Sequence, residues 1–577
     1  MFEILERDGL ARVGELHTRR GIVKTPTLMP VLNPNIEVIK APDMRRFGCT
    51  MVITNSYIIK KNGEVRNVHD ILDFDGPVMT DSGTFQSHVY GEIEFTNAEM
   101  LEFQETIGSD IRTIVDQFVE PEYDRKHARM CVDETVRRGR EAFESGSGDH
   151  LLAFPVQGGV YEDLRKRCAE GYKNLEGIFP IGGVVPLMEQ QRYFELFRVI
   201  LASKSALNPA APAHLFGCGH PVLFSIAALL GCDLFDSAAY SKFAHEGKML
   251  FENGTYPLKN VRENFCTCPV CLNHTPKEIM ESENREKLLA EHNLWVSFRE
   301  INRVRNAICT GRIWELAEQR ARSHPALLMG LRGLRKYRNF LERFEPLSRK
   351  SSLATGIESM ERPMVSRAAE RVERAIVSGV VIDGFIPYPP ELRYTYPFGQ
   401  TIMPYKKRML RGYKRVSASY HTDDIDMVRS IARMQFGIGG EKTLLNGDVS
   451  FVRSVHNNRI RNIYCNGKHI LSLRAEDGYF TLKIAGAKKL MAIEYPRFRV
   501  IVDQESEQPN KEGRNVFAKF VVDADKDLII GNETMVVNGD DELLAVGRAL
   551  MTREEMLSFK RGGAVKVRQG TVRAHMS

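Results

Sequence analysis

Residues 214–240 read HLFGCGHPVLFSIAALLGCDLFDSAAY, and this stretch decides the predicted fold. It contains two short apolar runs, His214 to Phe216 and Asp233 to Phe235, with a helical pattern from Pro221 to Leu230 between them. Alternation of strand, helix and strand is typical of a parallel α/β structure. We therefore predict that both runs are neighbouring strands of one parallel sheet.

The same pattern extends back to about residue 50. Helical patterns separate most of the runs, most clearly at 126–144, 162–173 and 189–202. Seven or more strand and helix units favour a closed (β/α)8 TIM-type barrel over an open sheet. The earlier apolar runs are Met51 to Thr54, Val78 to Thr80, Ile111 to Val115, Leu151 to Val156 and Ile178 to Ile181.

Polar residues or glycines follow most of these runs. In a barrel, such positions converge on one rim, where active sites are built. Any single one could instead be a helix N-cap, but their recurrence in phase predicts a shared pocket. The residues are Asp81, Asp116, Gln157, Gly182 and Gly183, Gly217 and His220, and Asp236.

A cysteine cluster lies one loop downstream of Asp236. Cys266, Cys268 and Cys271 occupy six residues, and His292 follows on a predicted helix. Three thiolates and an imidazole close a tetrahedral Zn²⁺ site with no position for water, which predicts one structural zinc ion. His274 and Cys309 are the alternatives for the fourth ligand.

Composition indicates a large intracellular protein. The chain has 577 residues and ten cysteines without a regular disulfide framework, which favours a reducing, cytoplasmic location. The N-terminus carries charges throughout and does not resemble a signal peptide. The most apolar stretch, 221–230, is about half as long as a membrane span, so no membrane association is expected.

Four domains are predicted. The barrel with its zinc site occupies 1–345, a basic extension follows at 346–430, and a second small α+β domain occupies 431–497. Short β-type runs separated by turns from 498 to 577 predict a small C-terminal β-barrel.

Positive charge is concentrated beyond the barrel. The net charge is +6, but residues 331–430 alone hold 19 Lys and Arg against 11 Asp and Glu. Six basic and two aromatic side chains between Tyr405 and Arg415 are typical of a nucleic-acid contact, although a solvated basic face is the alternative. The predicted RNA-binding residues are Lys406, Lys407, Arg408, Arg411, Lys414, Arg415, Lys566 and Arg568.

The rim residues suit glycosyl transfer. Two carboxylates facing one sugar suffice for a retaining exchange, with Asp236 as the nucleophile and Asp81 as the general acid/base. The Asp116 carboxylate matches the N–H and amine edge of a guanine. The Gln157 amide and the backbone near Gly183 or Val184 would complement the base carbonyl.

At these residues the chain resembles the tRNA-guanine transglycosylase family, in particular its archaeal, archaeosine-forming branch. The motifs DSGTFQ, VQGG, IGGVVPL, DLFDSAAY and CTCPVC occur in family order over essentially the full length. The resemblance implies a (β/α)8 barrel with one structural zinc bound by Cys266, Cys268, Cys271 and His292. It also implies the roles given above for Asp236, Asp81, Asp116, Gln157, Gly183 and Val184, a C-terminal PUA RNA-binding domain, and a homodimer.

The implied reaction is exchange of guanine 15 in the tRNA D-loop for 7-cyano-7-deazaguanine, the precursor of archaeosine. Two departures from the pattern stand out: Thr84 replaces the glycine of bacterial relatives, and IGGVVPL lacks the bacterial LAVGE sequence. The second departure weakens a queuosine-type anticodon exchange, which is one alternative. The others are a non-catalytic tRNA-binding subunit and a zinc-dependent barrel hydrolase.

Overall fold

The computed structural model describes residues 2–84, 95–146, 148, 150–349, 352–399, 401–406 and 410–572. The chain divides into two compact units, Met1–Lys336 and Tyr337–Ser577. The finer division, with boundaries after residues 345, 430 and 497, stays a prediction.

A parallel barrel forms the centre of the first unit. It follows an antiparallel sheet of β1 (Phe2–Asp8), β2 (Ala11–Thr18) and β3 (Gly21–Thr25). Its strands pair in the order β8-β7-β6-β5-β4-β11-β10-β9. They are β4 (Thr27–Leu32), β5 (Val52–Asn55), β6 (Val78–Asp81), β7 (Ile111–Thr113), β8 (Leu151–Ala153), β9 (Phe179–Ile181), β10 (Ala213–Leu215) and β11 (Leu234–Ser237).

Strands β8 and β9, at the two ends of this order, meet along a seam that closes the barrel. Parallel bridges join Ala153 to Ile178 and Val156 to Ile181. The Gly182 N–H donates to the Val156 carbonyl across the seam at 3.1 Å. The predicted TIM-type barrel is thereby confirmed, with β4 as the eighth strand that the apolar runs did not reveal.

Helices cover the outside of the barrel, and local sequence explains where they begin. Asp124 caps one long helix by accepting from the N–H groups of Lys126 and His127, and Pro221 occupies the first turn of another, where its missing N–H costs nothing. The helices between strands are Ser56–Lys61, Val68–Leu72, Asn97–Thr106, Arg125–Glu144, Glu162–Gly171, Val185–Glu189, Tyr193–Ala206 and Pro221–Leu229.

The cysteine cluster belongs to a segment inserted after the last barrel strand and helix. Its hairpin consists of β12 (Lys248–Phe251) and β13 (Gly254–Pro257). The helices of this part and of the end of the unit are Ala239–His245, Pro269–Asn273, Pro276–Glu281, Arg285–Cys309, Ile313–Ala321 and Pro325–Gly333.

The second unit contains a four-stranded antiparallel sheet and a six-stranded mixed sheet, in the orders β18-β19-β20-β21 and β23-β27-β26-β25-β22-β24. Two small parallel pairs, β14 with β16 and β15 with β17, precede them. The strands are β14 (Ser352–Leu353), β15 (Val380–Ile382), β16 (Thr401–Ile402), β17 (Lys414–Val416), β18 (Val449–Arg453), β19 (Ile460–Cys465), β20 (Lys468–Leu473), β21 (Phe480–Leu482), β22 (Arg499–Val502), β23 (Val516–Phe517), β24 (Val521–Ala524), β25 (Glu533–Val537), β26 (Leu543–Ala549) and β27 (Gly563–Gly570).

A continuous hydrophobic core runs through this second unit. Leu347, Ile431, Phe480 and Val546 belong to the same buried cluster, although they come from different predicted domains. The last sheet is the barrel-like structure predicted for the C-terminus. The helices are Arg338–Phe344, Pro363–Ala375, Asp424–Leu444, Ile484–Leu490, Gln504–Lys511 and Arg553–Ser558.

In the part of the chain that the structure describes, none of the helices combines the length and the apolar character needed to cross a bilayer. The cytoplasmic location stays a prediction.

Candidate active site

Four polar side chains lie at the rim where the barrel strands end. Asp81 ends β6, and Asp236 lies near the end of β11. Asp116 and Gln157 follow β7 and β8 in the loops leading to the next helices. Besides burial, the negative charges of Asp116 and Asp236 raise the pKa of Asp81, so both carboxylates lie within electrostatic reach of Asp81.

Asp236 is held by one of its two oxygens. Its Oδ1 accepts a hydrogen bond from His214 Nε2 at 2.7 Å and another from the Gly217 N–H at 2.9 Å. Among the described residues, no donor contacts Oδ2. The carboxylate is therefore fixed through one atom, while its other oxygen makes no hydrogen bond within the described residues.

His214 lies on β10, directly beside β11, and is fully buried. A carboxylate only accepts hydrogen bonds, so the contact with Asp236 assigns the imidazole proton to Nε2. His214 Nδ1 has no partner in the described structure. The ring thus donates to the carboxylate from Nε2.

Asp81 has the properties of a proton carrier. Loss of water around it, together with the charges of Asp116 and Asp236, raises the pKa of Asp81 to about 7, although the N–H groups of Gly83 and Ser82 oppose the shift. Gly83 has φ +84°, and a Cβ there would lie 2.3 Å from Tyr57 Cβ. Only glycine therefore fits this turn. Because its pKa is about 7, the Asp81 carboxyl exists in both protonation states near neutral pH.

Asp116 and Gln157 form a buried pair. Gln157 Nε2 donates to Asp116 Oδ2 at 2.5 Å, and Gln157 Oε1 has no partner among the described residues. Burial raises the pKa of Asp116, while hydrogen bonds from Gln157 and Thr84 lower it. The pair therefore combines a carboxylate with an unsatisfied acceptor, which suits a ligand with several N–H groups.

Thr84 supports this pair. Its hydroxyl hydrogen-bonds Asp116 and lies 3.1 Å from the Ser82 hydroxyl. The departure at position 84 thus adds a polar contact beneath Asp116.

Gly183 lies against Gln157, and Val184 follows it directly before the helix Val185–Glu189. Gly183 has φ +66°, and a Cβ on it would lie 2.9 Å from Gln157 Oε1. Among the described residues, the N–H groups of Gly183 and Val184 have no protein acceptor. Glycine at 183 therefore permits close approach of the backbone, as a planar ligand needs.

The rim carboxylates lack cationic partners. Within the described ranges, no lysine or arginine forms an ion pair with Asp81, Asp116 or Asp236; the single charged-group contact is that of Asp236 with His214. Buried carboxylates without cations are costly, and such arrangements concentrate at functional sites.

Cys266, Cys268, Cys271 and His292 form a separate buried cluster. Their four potential ligand atoms all lie within 4.8 Å of one another. His292 Nδ1 lies 3.4 Å from both the Cys268 and the Cys271 sulfur. A tetrahedral zinc ion would separate sulfur and nitrogen ligands by roughly 3.5 Å, so the donor set fits one such ion.

The surroundings of the cluster also fit a metal. His292 Nε2 contacts the Leu250 carbonyl at 3.1 Å, which leaves Nδ1 for the ion. Arg299 Nη1 donates to the Cys266 sulfur at 3.7 Å, which favours the thiolate form. Of the described alternatives, neither His274 nor Cys309 joins the cluster, and Cys309 is exposed.

The predicted basic cluster is partly neutralised. Asp383 forms ion pairs with Lys406 at 2.9 Å and with Arg415 at 3.3 Å. Arg411 and Lys414 are exposed. Lys407 and Arg408 lie outside the described residues. Arg411 and Lys414 are thus the described members of this cluster that remain open to a polyanion.

The two basic residues predicted near the C-terminus differ from each other. Lys566 is exposed on β27. Arg568 makes two contacts with Glu533, at 2.7 and 3.0 Å, and that glutamate is fully buried. Arg568 is also exposed, but its ion pair stabilises the six-stranded sheet, whereas Lys566 forms no ion pair among the described residues.

Sequence reasoning missed His214 as a site residue. It was assigned to an apolar run, although it is the only polar side chain in AHLF. A polar residue inside a buried parallel strand, one strand away from a candidate nucleophile, is the signal that could have revealed it.

Comparisons with known proteins agree with this geometry. Residues 8–326 match the family model described as queuine tRNA-ribosyltransferase. Residues 426–496 match the patch-forming domain C2 of tRNA-guanine transglycosylase, and residues 498–571 match the PUA domain.

Curated relatives match along the whole chain. The tRNA-guanine(15) transglycosylase of Methanothermobacter thermautotrophicus is 41% identical, and the alignment covers 99% of each chain. Proteins of the same name from Thermococcus kodakarensis and Pyrococcus abyssi are 40% and 39% identical, over 99% of this chain and 99% and 98% of theirs. From the barrel, its rim and these full-length matches it follows that this chain belongs to the tRNA-guanine transglycosylase family.

Proposed function

We propose that this enzyme exchanges guanine 15 of tRNA for 7-cyano-7-deazaguanine through a covalent glycosyl-enzyme intermediate. The observation that carries the proposal is the grouping of Asp81 and Asp236 at one rim, where the charge of one affects the pKa of the other. The full-length relatives are named tRNA-guanine(15) transglycosylases, which supports the choice of position 15.

In the first step, Asp236 attacks C1′ of the ribose as the bond from C1′ to N9 of guanine breaks. The proton held by Asp81 passes to the departing base. Oδ2 of Asp236 is the attacking atom, because Oδ1 is engaged by His214 and Gly217.

In the second step, the incoming base returns the proton. N9 of 7-cyano-7-deazaguanine gives its proton to the Asp81 carboxylate and displaces Asp236 from C1′, so that protons and charges balance over the cycle. A pKa of about 7 suits a group that is an acid in one step and a base in the next.

Recognition of the base falls to Asp116, Gln157, Gly183 and Val184. The Asp116 carboxylate accepts from the N1–H and the exocyclic amine of a guanine, and backbone N–H groups donate to its carbonyl. Two donors on Asp116 favour its ionised form, which offsets the burial that raises its pKa. 7-Cyano-7-deazaguanine keeps the same edge, so both bases fit one pocket.

We infer that the four-ligand cluster binds one structural Zn²⁺. It offers three sulfurs and one nitrogen and therefore leaves no position for a reacting water. Metal analysis should give about one zinc per chain, and Cys268→Ser should lower both zinc content and stability of the insertion. Bound iron or an empty cluster in purified protein would contradict the assignment.

The RNA-binding proposal rests on the exposed basic residues. Guanine 15 is buried in folded tRNA, so the enzyme must hold a rearranged tRNA while the base is extruded. We expect Lys566→Ala to weaken tRNA binding by about twofold to fivefold and to reduce its salt dependence by about one ion.

Arg568→Ala is the matched comparison for Lys566→Ala. It should destabilise the C-terminal sheet by removing one of the two arginines that pair with the buried Glu533, whose other ion pair is with Arg474. Loss of the whole segment 498–577 is less informative, since its side chains share a continuous core with residues from 347 onward. Equal salt dependence for Lys566→Ala and wild type would contradict a phosphate contact.

We also propose that the enzyme forms a homodimer through the zinc region. Phe265, Leu272 and Met280 are apolar side chains around the cluster with exposed fractions of 58%, 69% and 43%. Leu272→Glu should shift the mass measured by light scattering from two chains to one. A wild-type protein that is monomeric at micromolar concentration would contradict the proposal.

The decisive experiment uses labelled guanine and unmodified tRNA, followed by mapping of the label. Label at position 15, which unlabelled 7-cyano-7-deazaguanine displaces irreversibly, is the expected result. Label at the anticodon would indicate queuosine-type exchange. tRNA binding without incorporation would indicate a non-catalytic subunit, and release of guanine without re-addition would indicate a hydrolase.

A further inference from the structure

Arg165 is a fully buried arginine beneath the base pocket, on the helix Glu162–Gly171. In the described part of the chain it forms no ion pair with a carboxylate, and its Nη2 has no partner. Burying a charge in this way is expensive. Loss of surrounding water lowers the pKa of Arg165 to about 10, so it remains a cation at neutral pH.

The guanidinium joins the two loops that bear the recognition residues. Its Nε donates to the Gly159 carbonyl at 2.9 Å, and its Nη1 donates to the Val156 carbonyl at 2.6 Å. The same Nη1 donates to the Gly182 carbonyl at 2.7 Å. Gln157 lies between the first two carbonyls, and Gly183 directly follows the third.

The bond to Gly182 also determines where the next N–H points. The carbonyl of Gly182 and the N–H of Gly183 belong to one trans peptide, in which the two groups point in opposite directions. Arg165 binds the carbonyl side, so the Gly183 N–H faces away from the guanidinium. A hydrogen bond from a cation to a carbonyl also polarises the peptide and strengthens its N–H as a donor.

The Gly182–Gly183 turn packs close to Gln157 and Asp116. A Cβ on Gly182 would lie 2.5 Å from Gln157 Nε2 and 3.6 Å from Asp116 Oδ2. The turn at 182–183 thus borders the pair proposed to read the base.

We propose that Arg165 is a positioning residue for base recognition, which locks the Val156–Gly159 and Gly182–Gly183 segments together and directs the Gly183 N–H at the 6-oxygen of the bound purine. The inference rests on the proposed function. As the glycosidic bond breaks, negative charge grows on the purine, including its 6-oxygen, and a fixed, polarised N–H stabilises that charge.

The test compares Arg165→Lys with a matched control, Arg12→Lys. Lysine keeps the charge but cannot serve three carbonyls in fork geometry. Arg12, on β2, is likewise buried and donates to the carbonyls of Pro209 and Ala211. The groups that it contacts precede β10 and β11, at the opposite end of the barrel.

The readout is discrimination between guanine and 2-aminopurine as competitors of labelled guanine. 2-Aminopurine lacks both the 6-oxygen and the N1–H proposed to bind Asp116, so the change of this ratio in Arg165→Lys is what reports the Gly183 contact. We expect Arg165→Lys to raise the KM for guanine about tenfold and to lower the discrimination ratio by a similar factor, the effect of losing one hydrogen bond. The KM for tRNA should change less than twofold. Arg12→Lys should lower thermal stability and leave the ratio unchanged.

An unchanged ratio in Arg165→Lys, or an equal fall of the ratio in Arg12→Lys, would overturn the inference. The wild-type enzyme provides a test that needs no folded variant. If 2-aminopurine competes as well as guanine, the Gly183 N–H does not read the 6-oxygen and the inference fails. Absence of any guanine exchange would instead count against the proposed function.

Discussion

The two ends of the barrel treat the same residue type in opposite ways. Asp233 directly precedes strand β11, and Asp236 lies within it three residues later. Asp233, at the entry to β11, accepts from Arg12 at 2.8 Å through each oxygen and from the Ala213 N–H at 2.8 Å. Asp236, at the exit, has His214 and one backbone N–H.

The neighbouring strands repeat the difference. Asp110, at the entry to β7, is fully buried and contacts Arg19 at 2.7 Å and His69 at 3.1 Å. Asp116, beyond the exit of β7, is bound by neutral groups, the amide of Gln157 and the hydroxyl of Thr84. Paired carboxylates thus secure the entry end, while the exit end keeps carboxylates whose charge remains available to a ligand.

The largest expected effect comes from Asp236→Asn. An amide cannot attack C1′, so we expect exchange to fall by about 10⁴-fold and the covalent RNA adduct on a denaturing gel to disappear. The affinity for tRNA and the free energy of unfolding should be unchanged, because no lysine or arginine loses an ion-pair partner. An undiminished adduct would show that the nucleophile is elsewhere.

Asp81→Asn should lower exchange by about 10³-fold, within the usual range for loss of a general acid/base. It also has a pH signature. The pKa of Asp81 in the folded enzyme is raised from 3.8 to about 7, so its contribution to stability is complete below about pH 4 and is lost as the pH rises through 7.

The asparagine variant lacks this dependence. Its melting temperature relative to wild type should therefore increase between pH 5 and pH 8. Parallel melting curves of the two proteins across this range would contradict the raised pKa.

Asp233→Asn should lower stability and leave exchange largely intact, which is the reverse of Asp236→Asn. It removes the charged carboxylate that binds the buried Arg12 through both oxygens, for which we expect a loss of about 3 kcal/mol in the free energy of unfolding. The two tryptophans, at 295 and 314, both lie in the first unit, so their fluorescence during urea unfolding reports on the barrel.

Well below the unfolding transition, the exchange kinetics of Asp233→Asn should stay within about threefold of wild type. A catalytic loss as large as that of Asp236→Asn would remove the distinction between the two ends.

A smaller catalytic effect than at Asp236 or Asp81 is expected at His214. His214→Phe removes one of the two donors to Asp236 Oδ1, and we expect adduct formation to slow about tenfold. His214→Gln retains an N–H donor and should recover most of the rate. Equal rates for both variants would show that the ring fills space without orienting the nucleophile.

The barrel could be predicted because its signals are local. Seven apolar runs coincide with β5 to β11, and the predicted helix at 126–144 lies within the observed Arg125–Glu144. Strand β4 was missed because prolines at 26 and 30 interrupt its pattern and no helix separates it from the preceding sheet.

The partners of individual charges could not be predicted, since they are far apart in sequence. Asp383 neutralises Arg415, and Glu533 holds Arg568, across 32 and 35 residues. The density of basic residues in the sequence therefore overstates how many of them in the C-terminal unit are available to bind RNA. The same limit hid the contact between His214 and Asp236, which depends on the lateral register of two strands.

The proposed base pocket lies next to the seam between β8 and β9, where the barrel closes. Gln157 follows β8 and Gly183 follows β9, so a purine that contacts both residues would stabilise the pairing of these two strands. Occupancy should therefore slow amide exchange along residues 153–157 and 178–183. If the seam opens first on heating, the discrimination between bases should decline below the unfolding temperature of the enzyme.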